Sequence, residues 1–426
     1  MSKFSCVVIG NESLLAQCAQ ILLDRGHAIR AVVTRNSDVA AWAERHGLRR
    51  ERPGADLAVR LAGTAFDWLF SIANLDLLPD AVVSLAAKGA VNFHDGPLPR
   101  YAGLNAPVWA LLNRETSHGV AWHMMTGGVD EGDVLERRMF EISPNDTALT
   151  LNTKCYAAAI EGFVDLCGAL EAGPPTRLPQ DLTQRTHFGR DARPPAAARL
   201  DFRRDGEDLV ALVRALDHGN YWNPLALAKI EAGGRIVLVR AAAQVDRPGG
   251  AAPGTVLENG VEGLVVATGS RPIRLGGLTD AQGRPLAPDA LGAVGEALPS
   301  LDPEGAEALS AMMAAVAPQD AYWRARLREL APADLPQARA SSLPAVFSSL
   351  AVERPAGLTE DRLPAVVAAW TARVCGRWAF DLAYCDDALA AACANWEWLR
   401  LTLPQPPSPL ISVGVAALLL AGMLAL

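Results

Sequence analysis

The sequence predicts an α/β protein: a parallel sheet covered by helices, then a small open β-barrel, then a helical segment. Three observations carry that reading. Strand-length apolar runs alternate with helix-period segments through the first part of the chain, the pattern of βαβ units. Short apolar runs separated by glycines follow from about residue 235, as in the hairpins of a small barrel. From about residue 300 the chain turns Ala- and Leu-rich, as helices do.

Residues 1–175 carry the first pattern. Phe4–Ile9 is an apolar run, Gly10 a turn, and Ser13–Arg25 helical in period, with Leu14, Leu15, Ile21 and Leu22 apolar; Ala28–Thr34 is the second strand. The lone glycine in VVIGNESLL is not GxGxxG, so no dinucleotide site is expected there. Further strands are predicted at Asp67–Ser71, Val91–His94, Gly119–Met125 and Val134–Ile142. A helix should run from Thr147, its cap, to about Ala172. Residues 176–198, rich in Pro, Arg and Gln, read as a linker. Residues 199–290 hold a helix near Gly206–Leu216 and the barrel strands, with Asn259-Gly260 as one hairpin turn. Residues 300–426 form the helical segment and end in an apolar tail, 410–426.

Half of the 426 residues are hydrophobic, a fifth are charged, and the formal net charge is −8. That suits a soluble globular chain with two or three cores and disfavours a nucleic-acid-coated surface. The seven cysteines are scattered and form no CxxC pair, so neither a zinc site nor a disulfide framework is expected. The N-terminus reaches a glycine turn too early for a secretion signal. The tail LISVGVAALLLAGMLAL has no charge and nears the length of a membrane span, yet lacks basic flanks. A cytoplasmic protein is expected, with membrane association through the tail as the minor alternative.

The chemistry gathers in VNFHDGPLPRYAGLNAPVWALLNRETSHGVAWHMMTGGVDEGDVL. In NFH, Asn92 and His94 share one face of a strand, because side chains at i and i+2 do so. Asp130 sits in the Gly-rich loop after the next strand, and loops at the carboxyl ends of neighbouring parallel strands meet at one sheet edge. Taken singly, a buried histidine satisfied by an amide and a turn aspartate need no function. His123 reads as a core or cleft-wall residue, His118 as a turn residue and His218 as a candidate for interdomain contact or acceptor binding.

The whole stretch resembles the active-site region of the 10-formyltetrahydrofolate-dependent formyltransferases. That family carries an Asn-x-His strand end, a Leu-Pro-x-x-x-Gly loop and an Asp in a Gly-rich loop some three dozen residues later, and all three stand here in order. The resemblance covers roughly residues 1–285 and implies a Rossmann-like catalytic domain followed by an open, OB-like β-barrel, as in the methionyl-tRNA formyltransferase-like branch. It implies 10-formyltetrahydrofolate as co-substrate, no metal, and catalysis by Asn92, His94 and Asp130. By the same carry-over, Leu77, Leu78, Pro79, Gly127, Gly128 and Val129 contact the folate. The chemistry suits those residue types. An amine attacking the formyl carbon creates an oxyanion that the Asn92 amide can hold, and a proton must move, for which His94 and Asp130 are suited.

The acceptor is less explicit. The transfer-RNA enzymes carry a basic, Gly-rich insertion after the second strand; here TRNSDVAAWAERHGL passes directly into a helix. The closest resemblance is to formyltransferase domains at the start of nonribosomal peptide synthetases, and residues 300–426 resemble a synthetase linker or condensation-type fragment. These imply an aminoacyl acceptor, carrier-protein-bound, with synthetase subunits as partners. Arg100, Arg137 and Arg138 are then candidates for a carrier phosphate. The alternatives are methionyl-tRNA, a sugar-nucleotide amine and, from another class, an inactive docking scaffold.

Overall fold

A computed structural model describes residues 2–322, 325, 357 and 363–376. One compact unit comprises Met1–Ala192 with Ala198–Leu301; a second comprises Arg193–Ala197 with Asp302–Leu426.

The first unit is built on a seven-stranded sheet. Its strands are β1 (Ser5–Ile9), β2 (Ala28–Val33), β3 (Arg50–Glu51), β4 (Trp68–Ser71), β5 (Gly89–His94), then β7 (Ser117–Met124) and β8 (Val134–Glu141), β6 being the short Ala102–Gly103 outside this sheet. They lie in the order β3-β2-β1-β4-β5-β7-β8. The first five pair in parallel, with Ser71 beside Asn92. The expected parallel sheet is complete in these five strands, and the other edge departs from it: β7 runs antiparallel to β5, and β8 antiparallel to β7. The short loop 125–133 explains the second reversal, since a parallel return needs a crossover of a dozen residues or more.

Helices α1 (Ser13–Asp24), α2 (Ser37–Arg45) and the short α3 (Leu57–Leu61) and α4 (Asp80–Val83) sit among the parallel strands, α5 (Ala106–Leu112) precedes β7, and α6 (Ala148–Ala172) follows β8. Thr147 and Thr150 form the capping box of α6, each side chain serving the other's backbone N–H. The buried stripe of α6, Leu151, Cys155, Ala159, Phe163, Leu166 and Leu170, repeats at helical spacing, and most of it joins the core of Phe70 and Trp122. Phe163 meets the Phe70 ring edge-on at 5.4 Å.

Helix α7 (Gly206–Ala215) packs on the later strands. These are the hairpin β10 (Lys229–Ala232) with β11 (Arg235–Leu238), and a four-stranded antiparallel sheet. That sheet contains β12 (Ala241–Gln244), β13 (Val256–Gly260), β14 (Gly263–Val266) and β15 (Ile273–Gly276), ordered β12-β15-β14-β13. Leu209, Leu212 and Val213 of α7 share one apolar cluster with Val256, Leu264 and Leu275, and with Val108 and Leu111 of α5. That continuous cluster is why residues before and after 193–197 form one unit. Residues 176–192 are therefore not a spacer: their backbone and side chains are bonded to the first unit, as detailed below.

In the second unit the described elements include α8 (Pro303–Val316), capped by Asp302, and a helix at Leu363–Cys375. The apolar tail 410–426 and most of the predicted helical segment lie outside the described residues. Among the described residues no helix is long and apolar enough to cross a membrane.

A buried carboxylate fastens the end of α6 to the start of the sheet. Glu171 accepts from Arg25 Nε at 3.1 Å and Nη2 at 2.8 Å, and lies 2.9 Å from His27 Nε2. The Arg25 hydrogen bonds hold the Glu171 carboxyl below its ordinary range despite burial. A depressed carboxyl stabilises the fold above the unfolded value, about 4.3, and loses that contribution as pH falls through the folded value. Glu171→Gln should therefore lower the melting temperature at pH 7, and the gap to the parent should close below about pH 4. Thermal melts of both proteins across that range check it; a gap constant with pH means the charge contributes nothing.

Candidate active site

Strand β5 delivers Asn92 and His94 to one face, and His94 is buried. His94 Nε2 lies 2.7 Å from the Tyr101 carbonyl oxygen, which only accepts, so Nε2 carries the proton and donates. Its Nδ1 faces the carboxylate of Asp130, with Oδ2 at 3.5 Å. Asp130 also accepts from the Gly103 backbone N–H at 2.8 Å, and its Oδ1 lies 3.3 Å from His123 Nε2.

His123 closes the arrangement. Its Nδ1 donates to the Met124 carbonyl at 2.9 Å, and its Nε2 lies 3.2 Å from the Asn92 amide nitrogen. A neutral His123 accepts from Asn92; a charged one donates to Asp130 instead. Asp130 thus stands between two imidazoles, and Asn92 shares the second of them. Burial pushes the Asp130 carboxyl up, but the His94 charge, the His123 hydrogen bond and the Gly103 amide outweigh it and hold the group well below its usual range.

The backbone that makes these contacts is unusual. Tyr101, Asn105 and Asp130 adopt left-handed φ values of 61°, 59° and 55°. Such residues cost energy and persist where surrounding bonds impose them. Here the stiff loop GPLPRYAG turns its Tyr101 carbonyl toward His94 and its Gly103 amide toward Asp130, so one loop addresses both residues.

The structure brings the three predicted residues together by a route different from the expected one. Asp130 does not sit at the carboxyl end of a neighbouring parallel strand. Because β7 is antiparallel, Met124 pairs with Val91, and the loop 125–133 folds back toward His94. His123 is more than a cleft wall, and its cross-strand register to Asn92 is not visible in a linear reading. His118 lies in β7 rather than in a turn; it is fully buried and its Nε2 donates to the Asp95 carbonyl at 2.8 Å. Burial pushes His118 down to about 4, so it is neutral near pH 7. The apolar run Val120–Trp122 between the two histidines was the available sign that one strand holds both.

Residues 11–166 match the family model for formyl transferase, and residues 194–293 match that for the formyl transferase C-terminal domain. The chain belongs to the formyltransferase family. Its fold is similar to that of WlaRD, a sugar 3N-formyltransferase crystallised with dTDP and 5-N-formyl-THF: identity is 16%, covering 65% of this chain and 98% of that one, with a TM-score of 0.51. It is also similar to an N-formyltransferase from Helicobacter canadensis, complexed with folinic acid and dTDP-3-aminofucose. There the identity is 16%, covering 64% and 99% of the two chains, with a TM-score of 0.52.

In this formyltransferase the six residues carried over as folate contacts fall on two loops. Pro79 caps a short helix at Asp80–Val83, Leu78 is half-buried, and Leu77 stands 80% exposed. On the other loop Val129 is exposed, and a side chain at Gly127 would meet open space. Leu78 and Met125, one from each loop region, pack against the same apolar cluster. The three arginines named as candidates for a carrier phosphate each have a partner in the fold. Arg100 pairs with Glu115, Arg138 with Asp165, and Arg137 donates to the Leu98 carbonyl at 3.3 Å, so all three are engaged within the fold.

Gly103 is where the loop is tightest. Its φ is 96°, and a Cβ there would lie 2.2 Å from the Phe188 carbonyl oxygen. Gly103→Ala should therefore cost about 2 kcal/mol or more and shift the amide away from Asp130. Denaturant unfolding measures the cost; an unchanged midpoint would show that the loop yields freely.

Proposed function

We propose that this formyltransferase moves the formyl group of 10-formyltetrahydrofolate to an amine, with Asn92, His94 and Asp130 as its catalytic residues. The observation that carries the reading is the Asp130 carboxylate held between His94 and His123 beside the Asn92 amide. The amine nitrogen attacks the formyl carbon, and the Asn92 Nδ2–H donates to the resulting oxyanion. The His94–Asp130 pair takes the proton released by the amine. When the bond from the formyl carbon to the folate nitrogen breaks, the pair returns that proton to the nitrogen and tetrahydrofolate leaves. Asn92 turning to the oxyanion gives up His123, which Asp130 still engages. The donors around Asp130 outweigh its burial and keep it ionised.

The folate co-substrate is supported by the folate compounds named with both similar structures. We assign its contacts to Leu77, Leu78, Pro79, Gly127, Gly128 and Val129. The exposed apolar side chains of Leu77 and Val129 suit a flat aromatic ring system. Catalysis is assigned to residues 1–175 and an accessory OB-like barrel to 199–290, read from the four-stranded sheet and its hairpin. Residues 300–426 are assigned to docking on a synthetase. A reducing cytoplasm fits the four buried free thiols of Cys6, Cys18, Cys155 and Cys167.

For the acceptor we propose an aminoacyl group on a carrier protein. The turn after β2 supports this against tRNA: Asn36 caps α2 directly, accepting from Asp38 and Val39, with no room for a basic loop. With Arg100, Arg137 and Arg138 engaged elsewhere, the carrier reading rests on the sequence resemblance alone. A sugar-nucleotide amine is the second reading, favoured by the names of the similar structures.

Asn92→Ala and His94→Ala should each lower kcat by roughly a hundredfold or more, and Asp130→Asn should do the same, with folding intact. Tetrahydrofolate release from 10-formyltetrahydrofolate measures this, and parental turnover in any variant removes that residue from the mechanism. An aminoacylated carrier protein, methionyl-tRNA and a dTDP-amino sugar compared as acceptors decide the second question. Carrier formylation supports our assignment; turnover confined to either of the others replaces it.

A further inference from the structure

Residues 178–190 touch every loop that frames the site. Leu178 exchanges two backbone hydrogen bonds with Val134, each 2.9 Å. The Gln180 amide then donates to the Asp130 carbonyl at 2.9 Å and to the Gly132 carbonyl at 2.6 Å. Arg185 donates to the Val129 carbonyl at 3.0 Å, and its guanidinium lies 3.6 Å from Glu131. Next, Thr186 receives the Tyr101 N–H on its hydroxyl at 2.8 Å and the Ala102 N–H on its carbonyl at 2.9 Å. The short strand His187–Phe188 pairs with Ala102–Gly103, and the Phe188 ring stacks between Trp109 and Tyr101 at 4.5 and 5.8 Å. Arg190 finally donates to the Leu75 carbonyl at 3.1 Å.

These contacts have a common consequence. The groups that hold His94 and Asp130, the Tyr101 carbonyl and the Gly103 amide, belong to the segment paired with Thr186–Phe188. Asp130 itself, at a left-handed φ, is gripped through its own carbonyl and that of Gly132 by one side chain. Those two bonds fix the backbone of Asp130 on the side away from its carboxylate, where Arg185 on the Val129 carbonyl is the neighbouring hold. We propose that residues 178–190 are a strap that sets the reacting geometry, with Gln180 as a positioning residue for formyl transfer. This rests on the assignment of catalysis to His94 and Asp130. Gln180 reaches neither reacting atom; it acts through Asp130.

The test uses full-length protein with 15N-labelled histidine rings, the variant Gln180→Ala, and Gln180→Met as a donor-free variant of similar length should alanine fail to fold. Once Asp130 is released, the ring-nitrogen signals of His94 and His123 should move while that of the exposed His46 stays. Turnover of 10-formyltetrahydrofolate with the active acceptor should fall between about tenfold and a hundredfold in kcat, with an altered pH profile and a melting temperature near the parent's. Unmoved His94 and His123 signals together with parental kcat overturn the strap. Asp130→Asn separates the two layers. If it is inactive while Gln180→Ala is parental, the strap alone falls; if Asp130→Asn keeps full turnover, the catalytic assignment falls and takes the strap with it.

Discussion

A carboxylate removed from water between two imidazoles is the constraint around which this structure is arranged. Burying Asp130 is unfavourable unless partners compensate for the lost hydration. Three arrive from three places: His94 from β5, His123 from β7 and the Gly103 amide from the loop between those strands. Both histidines have a further partner that fixes their direction, the Tyr101 carbonyl for His94 and the Met124 carbonyl for His123. The left-handed backbone at Tyr101, Asn105 and Asp130 is the strain that this convergence imposes.

The antiparallel edge of the sheet makes the convergence possible. In a wholly parallel sheet the residue beside Asn92 would lie on a strand running the same way, with its loop leaving above the site. Reversing β7 places His123 beside Asn92 and lets the same strand's exit loop return with Asp130. The groove between β8 and α6, lined by Glu136, Arg138, Met139 and Lys154, contains none of these groups.

Much of this was legible in the sequence, and the remainder was illegible for definite reasons. The βαβ beginning, the α6 cap at Thr147 and the Asn92-x-His94 face follow from local periodicity and capping chemistry, which operate within a few residues. The pairing of Asp130 with His94 came from the family resemblance rather than from periodicity. The direction of β7 escaped, because a strand's apolar pattern is the same whichever way it runs. His123 escaped with it, since its role depends on cross-strand register. The segment 176–198 read as a linker because its bonds reach distant backbone, through side chains as with Gln180 and Arg185 or through a two-residue strand, and such bonds leave no periodic trace.

The topology also explains why that segment reaches the site. Helix α6 runs back along β8: Lys154 donates to the Glu141 carbonyl near the strand's end, while Arg138 pairs further along with Glu161 and Asp165. Its 25 residues span about 37 Å at 1.5 Å each, whereas the eight residues of β8 span about 26 Å. The helix therefore overshoots the start of β8, and Glu171 is fastened there to Arg25 beside the first strand. From that anchored end the chain has only to return to Val134, the first residue of β8, where Leu178 pairs with it. Val134 is also where the Asp130 loop enters the sheet. A long helix anchored at its far end thus delivers Gln180 to the backbone of Asp130, and the order of elements along the chain places the strap where the buried carboxylate needs support.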